Sequence, residues 1–228
     1  MKCLTIVLSA LNEEDKIALT VNEILPVARS IFDAFEIFLF NDGSKDRTGE
    51  VMEELAQKNP EIKVIHHAEP MGTGVNFKEA LELTRFDYIT GFPGDHAYNI
   101  NGLEKMFKAI GDVDFVICYR TNQIQTRPFF RIILSWLFHY FIVILFRYNL
   151  KDFHGVAVYP VQILRKINIT SDSYLAQTEI YLKLLKQRIS YTQIPVTLNL
   201  ADIGSSQSLR WSVFQDIIRT LLHLYKSR

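Results

Sequence analysis

Three short polar segments carry most of the residues in this chain that could do chemistry, and each borders an apolar run. FNDGSKDRT begins with Phe40 and puts Asp42 at the end of such a run. A carboxylate there could accept hydrogen bonds from a nucleobase or ribose edge, and Gly43 lets the chain turn without a Cβ clash. The same tetrad also fits a plain Asx turn, with Asp46 capping the helix that follows. GFPGDHAYN carries Asp95 and His96 beyond a second apolar run. A carboxylate on a glycine-bearing loop is a hard oxygen ligand, suited to Mg2+ or Mn2+ carrying a diphosphate, and His96 could add a nitrogen. Taken singly, both also fit turn and backbone-partner roles. MGTGVNFKEAL opens a helix behind Gly72 and Gly74, and its amides could meet an anion. It lacks the third glycine of the dinucleotide fingerprint and follows the third strand, not the first. The P-loop lysine motif is absent too, so neither a dehydrogenase nor a kinase finds support. The pair His66–His67 reads as a solvated strand end.

These segments need elements to hold them, and the first half of the chain alternates strands and helices. KCLTIVLSA reads as a buried strand, followed by a helix from Glu13 to about Phe32. FEIFLF is a second strand, with a helix from about Arg47 to Gln57. EIKVIHH is a third strand, and the helix after Gly74 ends near Thr84. FDYITGF and DVDFVICYR are the fourth and fifth strands, around a helix over about 101–110. Short apolar strands spaced by amphipathic helices predict a mostly parallel sheet covered on both faces, with ligands beyond the carboxyl ends of its strands. The loops Ser9–Asp15, Asn41–Asp46 and Pro93–Asn99 all fall at such ends.

The second half differs. Residues 128–148 read as a long apolar helix that Thr126 can cap and Pro128 can open. HGVAVYP is a short strand, Tyr174–Gln187 a helix, and ISYTQIPVTLNL a strand whose Pro195 suggests an edge or a bulge. A last amphipathic helix runs from about Leu209 to Tyr225. Twenty-five basic residues balance twenty-five acidic ones, which argues against a phosphate-gripping nucleic-acid binder. Cys3 and Cys118 lie in strand-like runs and are expected as buried free thiols in a reducing compartment. The first strand begins almost at Met1, so no signal peptide is expected. The longest apolar run, residues 132–146 between Arg131 and Arg147, falls short of the about 20 residues a spanning helix wants.

Taken in order, LTIVLSALNEEDKI, EIFLFNDGSKDRTGEV, MGTGVNFKEAL and ITGFPGDHAYN resemble the inverting family-2 glycosyltransferases of GT-A fold, over about residues 3–210. The family patterns are a strand ending in P-x-Y-N-E, then D-D-G-S-x-D-x-T, a G-x-G/A loop and D-x-D. Arg120, the DFHG segment, Glu179 on a helix and the IPV strand fit the later pieces. The long apolar helix before DFHG is most similar to the polyprenyl-phosphate, dolichyl-phosphate type, sugar transferases. The fold class implied is α/β, a GT-A-type, Rossmann-like and mostly parallel sheet flanked by helices, with apolar interfacial helices in the C-terminal half. Residues 1–228 would form a single glycosyltransferase domain. About 1–120 would be its nucleotide-sugar-binding half, and about 121–228 its acceptor and membrane-associating half.

By position, the resemblance implies that Ser9, Leu11, Glu13 and Gly94 belong to the nucleotide-sugar site, and that Asp42 binds the base or ribose with Phe40 beside it. Asp95 would be the main ligand of Mg2+ or Mn2+, with His96 as a second. Arg120 would lie near the donor phosphates and Glu179 on the acceptor side. Arg127, Arg131 and Asp152 would serve the acceptor or its phosphate. The chain departs from the pattern at Ser9 and Leu11, where the family has Pro and Tyr, and at Pro93, where it has the first Asp of D-x-D. Ala97 replaces a metal-binding Gln of the lipid-linked subfamily, and Ala201 and Gln207 replace its basic pair.

The expected activity is metal-dependent, inverting transfer of one sugar from a nucleotide-sugar donor to a membrane polyprenyl phosphate. A phosphate acceptor is already anionic and needs no general base. The alternative, transfer to a hydroxyl of a glycan or lipid-linked oligosaccharide, would need one, and Glu179 or Asp152 would be the candidate. A third reading is a non-catalytic nucleotide-sugar binder or partner subunit. Arg131, Ser135 and His139 recur every four residues as one polar stripe on an otherwise apolar helix, and Trp211 and Phe214 with nearby basic residues repeat the theme. These helices predict a cytoplasmic protein lying on the inner face of a membrane without spanning it. The alternative is that they pack on each other or on a second copy in a homo-oligomer.

Overall fold

The computed structural model describes residues 2–122, 129–148, 150–172 and 175–199, with the side chains of 129–131 and 134 outside that description. The strands are β1 (Cys3–Ala10), β2 (Ala34–Asp42), β3 (Ile62–His67), β4 (Tyr88–Pro93), β5 (Phe115–Arg120), β6 (Ala157–Pro160) and β7 (Tyr191–Val196). They form one sheet in the order β3-β2-β1-β4-β6-β5-β7. Every strand but β6 runs the same way, and β6 lies antiparallel between β4 and β5. The sheet is therefore mostly parallel, as expected. The reversed β6 brings the residues just before it to the edge where β1, β2, β4 and β5 end.

Alternation along each strand divides the core in two. Leu4, Ile6 and Leu8 of β1 and Ile37 and Leu39 of β2 face α1 (Ile17–Ile31), α2 (Thr48–Lys58) and α4 (Ile100–Lys108). Val7, Phe38 and Phe40 face α3 (Thr73–Leu83), α5 (Phe129–Phe146) and α7 (Leu175–Lys186), with the short α6 (Val161–Leu164) beside them. A parallel sheet covered on both faces explains why β1 and β2 read as continuous apolar runs. α1 starts four residues later than Glu13. The Glu13 carbonyl accepts the first N–H groups of the turn, from Lys16 and Ile17, while its own amide donates to Thr48 Oγ1. β7 is an edge strand, so the missing N–H of Pro195 costs no ladder bond to a further strand. Cys118 is buried and Cys3 half-buried, and both are free thiols.

The polar stripe on α5 turns inward at Ser135 and His139. Ser135 and His139 are half-buried, and the His139 ring sits 5.4 Å from that of Phe153. Ile142 and Phe146 anchor the helix in the core. The outward face carries Ile133, Trp136, Leu137, Tyr140, Phe141 and Ile144, with Trp136 60% and Ile144 77% exposed. Their spacing makes one continuous apolar strip along the helix. No helix among the described residues is long and apolar enough to cross a membrane. The helix expected over 209–225, with Trp211 and Phe214, lies outside the described residues. So do Arg127, Ala201, Gln207 and the side chain of Arg131.

The approach of β6 to β5 depends on one glycine. A Cβ on Gly155 would stand 1.7 Å from the Cys118 carbonyl oxygen, where the Cys118 amide donates to the Val156 carbonyl at 2.8 Å. Gly155→Ala must push two backbones apart and should cost about 3 kcal/mol or more. Urea unfolding checks this, and a loss below about 1 kcal/mol would mean that the segment relaxes freely.

Candidate functional site

The polar loops gather on the carboxyl edge of the sheet, and the first two are laced together. The Asn12 amide donates to Ser44 Oγ at 3.0 Å, and the Lys45 amide donates back to Asn12 Oδ1 at 2.8 Å. The Arg47 amide reaches Glu14 Oε2 at 2.8 Å. Asp46 Oδ1 receives both the amide and the hydroxyl of Thr48, at 3.0 and 2.5 Å, in a turn onto the first residue of α2, while the cap position itself falls to Arg47. Burial alone would raise the Asp46 pKa, but these bonds outweigh it and hold the carboxyl below its ordinary value. Ser9 Oγ accepts from Asn76 Nδ2 at 3.2 Å, and the Glu13 carboxylate lies 3.9 Å from Lys16 Nζ. Leu11 is half-buried between these loops.

Asp42 ends β2 and is buried. Its Oδ1 receives the Met71 amide at 2.9 Å, and its Oδ2 the Gly72 amide at 3.0 Å. His67, its cross-strand partner on β3, lies 3.1 Å from Oδ1 through Nδ1. The amides of the glycine loop do meet an anion, then, but it is the chain's own carboxylate. Farther along, the Gly74 amide donates to the Asp172 carbonyl, and those of Val75 and Asn76 donate to the Gly72 carbonyl. Phe40 is fully buried among core residues, two positions before Asp42 on the same face. It supports the strand from within the core, beneath the position where Asp42 ends β2.

Gly94 is also a packing residue. A Cβ there would meet Ile17 Cδ1 at 2.7 Å, and its amide donates to the Ser9 carbonyl at 2.9 Å. Its small size lets the start of α1 close on β4. Asp95 Oδ1 accepts the Ala97 amide at 3.1 Å in an Asx turn. His96, at φ 57°, turns its Nε2 towards Glu23 Oε2 of α1 at 3.2 Å. The imidazole, expected as a second metal ligand, is thus turned towards α1 in this structure. Asn199 holds this loop from β7's side, through Nδ2 to the His96 carbonyl and its amide to the Ala97 carbonyl. Among the described residues no group of three or more His, Cys, Asp and Glu could cage a metal. A single strand-end carboxylate still fits Mg2+ or Mn2+, which keep several waters and bind through one or two carboxylates plus phosphates.

The structure brings Arg120 and Asp152 together. Arg120 Nε donates to Asp152 Oδ2 at 2.7 Å and Nη2 to Oδ1 at 2.9 Å, with both side chains under a tenth exposed. The His154 amide donates to Asp152 Oδ1 at 2.9 Å, and the His154 ring stacks on Phe138 of α5. Burial would raise the Asp152 pKa, but Arg120 overcomes it and holds the carboxyl below its ordinary value. In this structure, then, the Arg120 guanidinium and the Asp152 carboxylate, placed by the sequence at the donor phosphates and on the acceptor side, meet each other.

Glu179 is fully buried on α7. Its oxygens take the Thr170 amide and hydroxyl, the Ser171 amide at 2.8 Å and Lys183 Nζ. Burial raises its pKa, and these partners bring it below the ordinary value. It anchors the loop before α7 through these contacts. Sequence reasoning also missed His67 and Glu79, whose side chains meet at 2.9 Å. Strand alternation offered the signal, because His66 and His67 must point to opposite faces, and only His66 is exposed.

The glycosyl transferase family 2 model matches residues 5–166. The chain is 24% identical over 218 residues to an undecaprenyl-phosphate mannosyltransferase of Micrococcus luteus, covering 91% of this chain and 87% of that one. It is 28% identical over 154 residues to the glycosyltransferase AglD of Haloferax volcanii, covering 65% of this chain but 25% of that larger protein. Its fold is similar to glucosyl-3-phosphoglycerate synthase of Mycobacterium tuberculosis, solved with Mn2+, uridine diphosphate and glucosyl-3-phosphoglycerate. That likeness has a TM-score of 0.68 at 16% identity and covers 99% of this chain and 80% of that one.

Removing one partner of the buried ion pair strands the other. Asp152→Ala should cost about 3–5 kcal/mol, whereas Arg120→Met combined with Asp152→Leu should recover most of the loss. The depressed folded pKa means that Asp152 stabilises the fold above its unfolded pKa of about 4, and that this is lost as pH falls through the folded value. Urea unfolding of the three proteins tests this. Equal losses in the single and double variants would show that the pairing itself does not matter.

Proposed function

The chain belongs to glycosyl transferase family 2, and from that premise we propose that it moves one sugar from a nucleotide-sugar donor to a membrane polyprenyl phosphate, with inversion. The observation that carries the choice of acceptor is that both carboxylates weighed as bases are committed elsewhere. Asp152 is paired with Arg120, and Glu179 is enclosed by Thr170, Ser171 and Lys183. A hydroxyl acceptor needs a base and a phosphate does not. The long match to an undecaprenyl-phosphate mannosyltransferase supports the same reading.

In this reading Asp42 accepts a hydrogen bond from the base or ribose, and the interlaced loops of Ser9, Leu11 and Glu13 frame the nucleotide. Asp95 would hold Mg2+ or Mn2+, which when bound supplies charge stabilisation for the departing diphosphate. An acceptor phosphate oxygen forms the new bond to the anomeric carbon as the bond to the diphosphate breaks, and nucleoside diphosphate leaves. The apolar strip on α5 would rest in the lipid surface that holds the acceptor, on the cytoplasmic side, with the carboxyl edge of the sheet open to the soluble donor.

A donor panel with Mn2+ and a short-chain polyprenyl phosphate, scored for nucleoside diphosphate, tests the reaction. Release should require both the lipid phosphate and the divalent ion, and Asp95→Ala should lower it at least about 100-fold, in keeping with the loss of several kcal/mol of charge stabilisation. Release with a hydroxyl acceptor alone would favour the glycan-extending alternative, and donor binding without any release would favour a non-catalytic binder.

Membrane attachment is tested separately by flotation with anionic liposomes. The wild type should co-float, and a variant with Trp136→Asp and Phe141→Asp should remain with the soluble fraction while still binding nucleotide. A monodisperse wild type that ignores liposomes would contradict attachment through α5.

A further inference from the structure

We propose that His67 is a positioning residue of the donor site: held as an imidazolium between Asp42 and Glu79, it fixes the Asp42 carboxylate and makes donor binding weaken as pH rises. The inference rests on the reading of Asp42 as the nucleoside contact.

The geometry requires a particular protonation state. His67 Nδ1 lies 3.1 Å from Asp42 Oδ1, and its Nε2 lies 2.9 Å from Glu79 Oε2. A neutral imidazole has one N–H and one lone pair, so between two carboxylates it would satisfy one and turn a lone pair to the other. Only the imidazolium donates to both. The charged groups facing the ring are Asp42 from β2 and Glu79 from α3, with the Phe40 ring 5.7 Å away on the strand beside it. Burial alone would lower the His67 pKa, but the hydrogen bonds and charges of these carboxylates win, and it stands above its ordinary value.

The consequence for Asp42 follows from counting acceptors. A carboxylate offers about four lone-pair sites. On Oδ1 the Met71 amide and His67 take two, and on Oδ2 the Gly72 amide takes one. One site on Oδ2 is left for a nucleoside N–H or O–H, and its direction is set by the other three bonds. Glu79 is more exposed than Asp42, so it is the partner that can turn to water when His67 loses its proton. The donor pocket would then meet the Asp42 carboxylate without a neighbouring cation, and an anionic donor would bind less well. The sign is therefore tighter binding below the raised pKa of His67 and weaker binding above it.

The test is calorimetric titration with UDP-glucose and, separately, GDP-mannose, in Mg2+, from about pH 5.5 to about pH 8.5, the window in which an imidazole titrates. The diphosphate diester of either probe keeps its charge throughout. Wild-type affinity should fall about 3- to 10-fold with rising pH, a factor equal to the change in His67 protonation affinity on binding. His67→Gln should bind at the weaker, high-pH level with a flat profile. Glu79→Gln should keep a profile but move its midpoint to lower pH, a shift that a merely structural role would not give. Wild-type binding that is flat with pH, or a His67→Gln profile with the wild-type slope, would overturn the role of His67 while leaving the donor site standing. Failure of the wild type to bind either nucleotide would bring down the donor-site reading and this inference with it.

Discussion

A carboxylate that leaves water must have its lone pairs filled, and this chain uses that requirement to fix its loops. Asp42 takes two amides of the glycine loop and the ring of His67. Asp152 takes the guanidinium of Arg120 and the His154 amide, and so ties the segment before β6 to the end of β5. Glu179 takes the hydroxyl and amides of Thr170 and Ser171, and so ties the loop before α7 to that helix. Each anion joins segments that are apart in sequence, and Asp152 and Glu179 stay ionised because their partners outweigh burial. The carboxyl edge of the sheet is shaped by these anchors as much as by the strands themselves.

The same requirement sorts the acids by what they can still do. Asp152 and Glu179 are both engaged in structural contacts, which in the proposed reaction suits an acceptor that needs no base. Asp95 has the Ala97 amide on Oδ1 and lies on a half-buried loop, where a hydrated divalent ion and a diphosphate can share it. Asp42 combines both roles, anchoring the loop and presenting one remaining acceptor position. The nearness of Phe138 to His154 and of His139 to Phe153 places α5 directly against the segment that carries Asp152. The helix with the outward apolar strip is thus packed against the loop that neutralises Arg120.

Much of the fold was legible because two-sided burial leaves a strong mark. β1 to β5 and α1 to α4 fall close to their expected places, and the edge position of β7 follows from Pro195. The order of the polar segments pointed to the family that the 5–166 match confirms. Individual roles were less legible because they depend on side-chain direction and distant partners. Phe40 shares a strand face with Asp42, yet two residues back from the strand end that face is already covered by the core and the ring is fully buried. Arg120 and Asp152 are 32 residues apart, so their pairing exists only once β6 lies beside β5. Glu179 was expected on the acceptor side, and its enclosure by Thr170 and Ser171 depends on a loop that the helix pattern does not reveal. On α5 the sequence showed a polar row and a wide apolar arc, but only the fold shows that His139 meets Phe153 while Trp136 and Ile144 face out.

The central claim is that the carboxyl edge holds a nucleotide between Asp42 and Asp95. A crystal structure of the chain grown with Mn2+ and a nucleoside diphosphate tests this most directly. The account predicts the base or ribose within hydrogen-bond reach of Asp42 Oδ2, the ion on the Asp95 carboxylate, and Arg120 still paired with Asp152. A nucleotide bound away from both carboxylates, or an Arg120 released from Asp152 to grip the diphosphate, would contradict it.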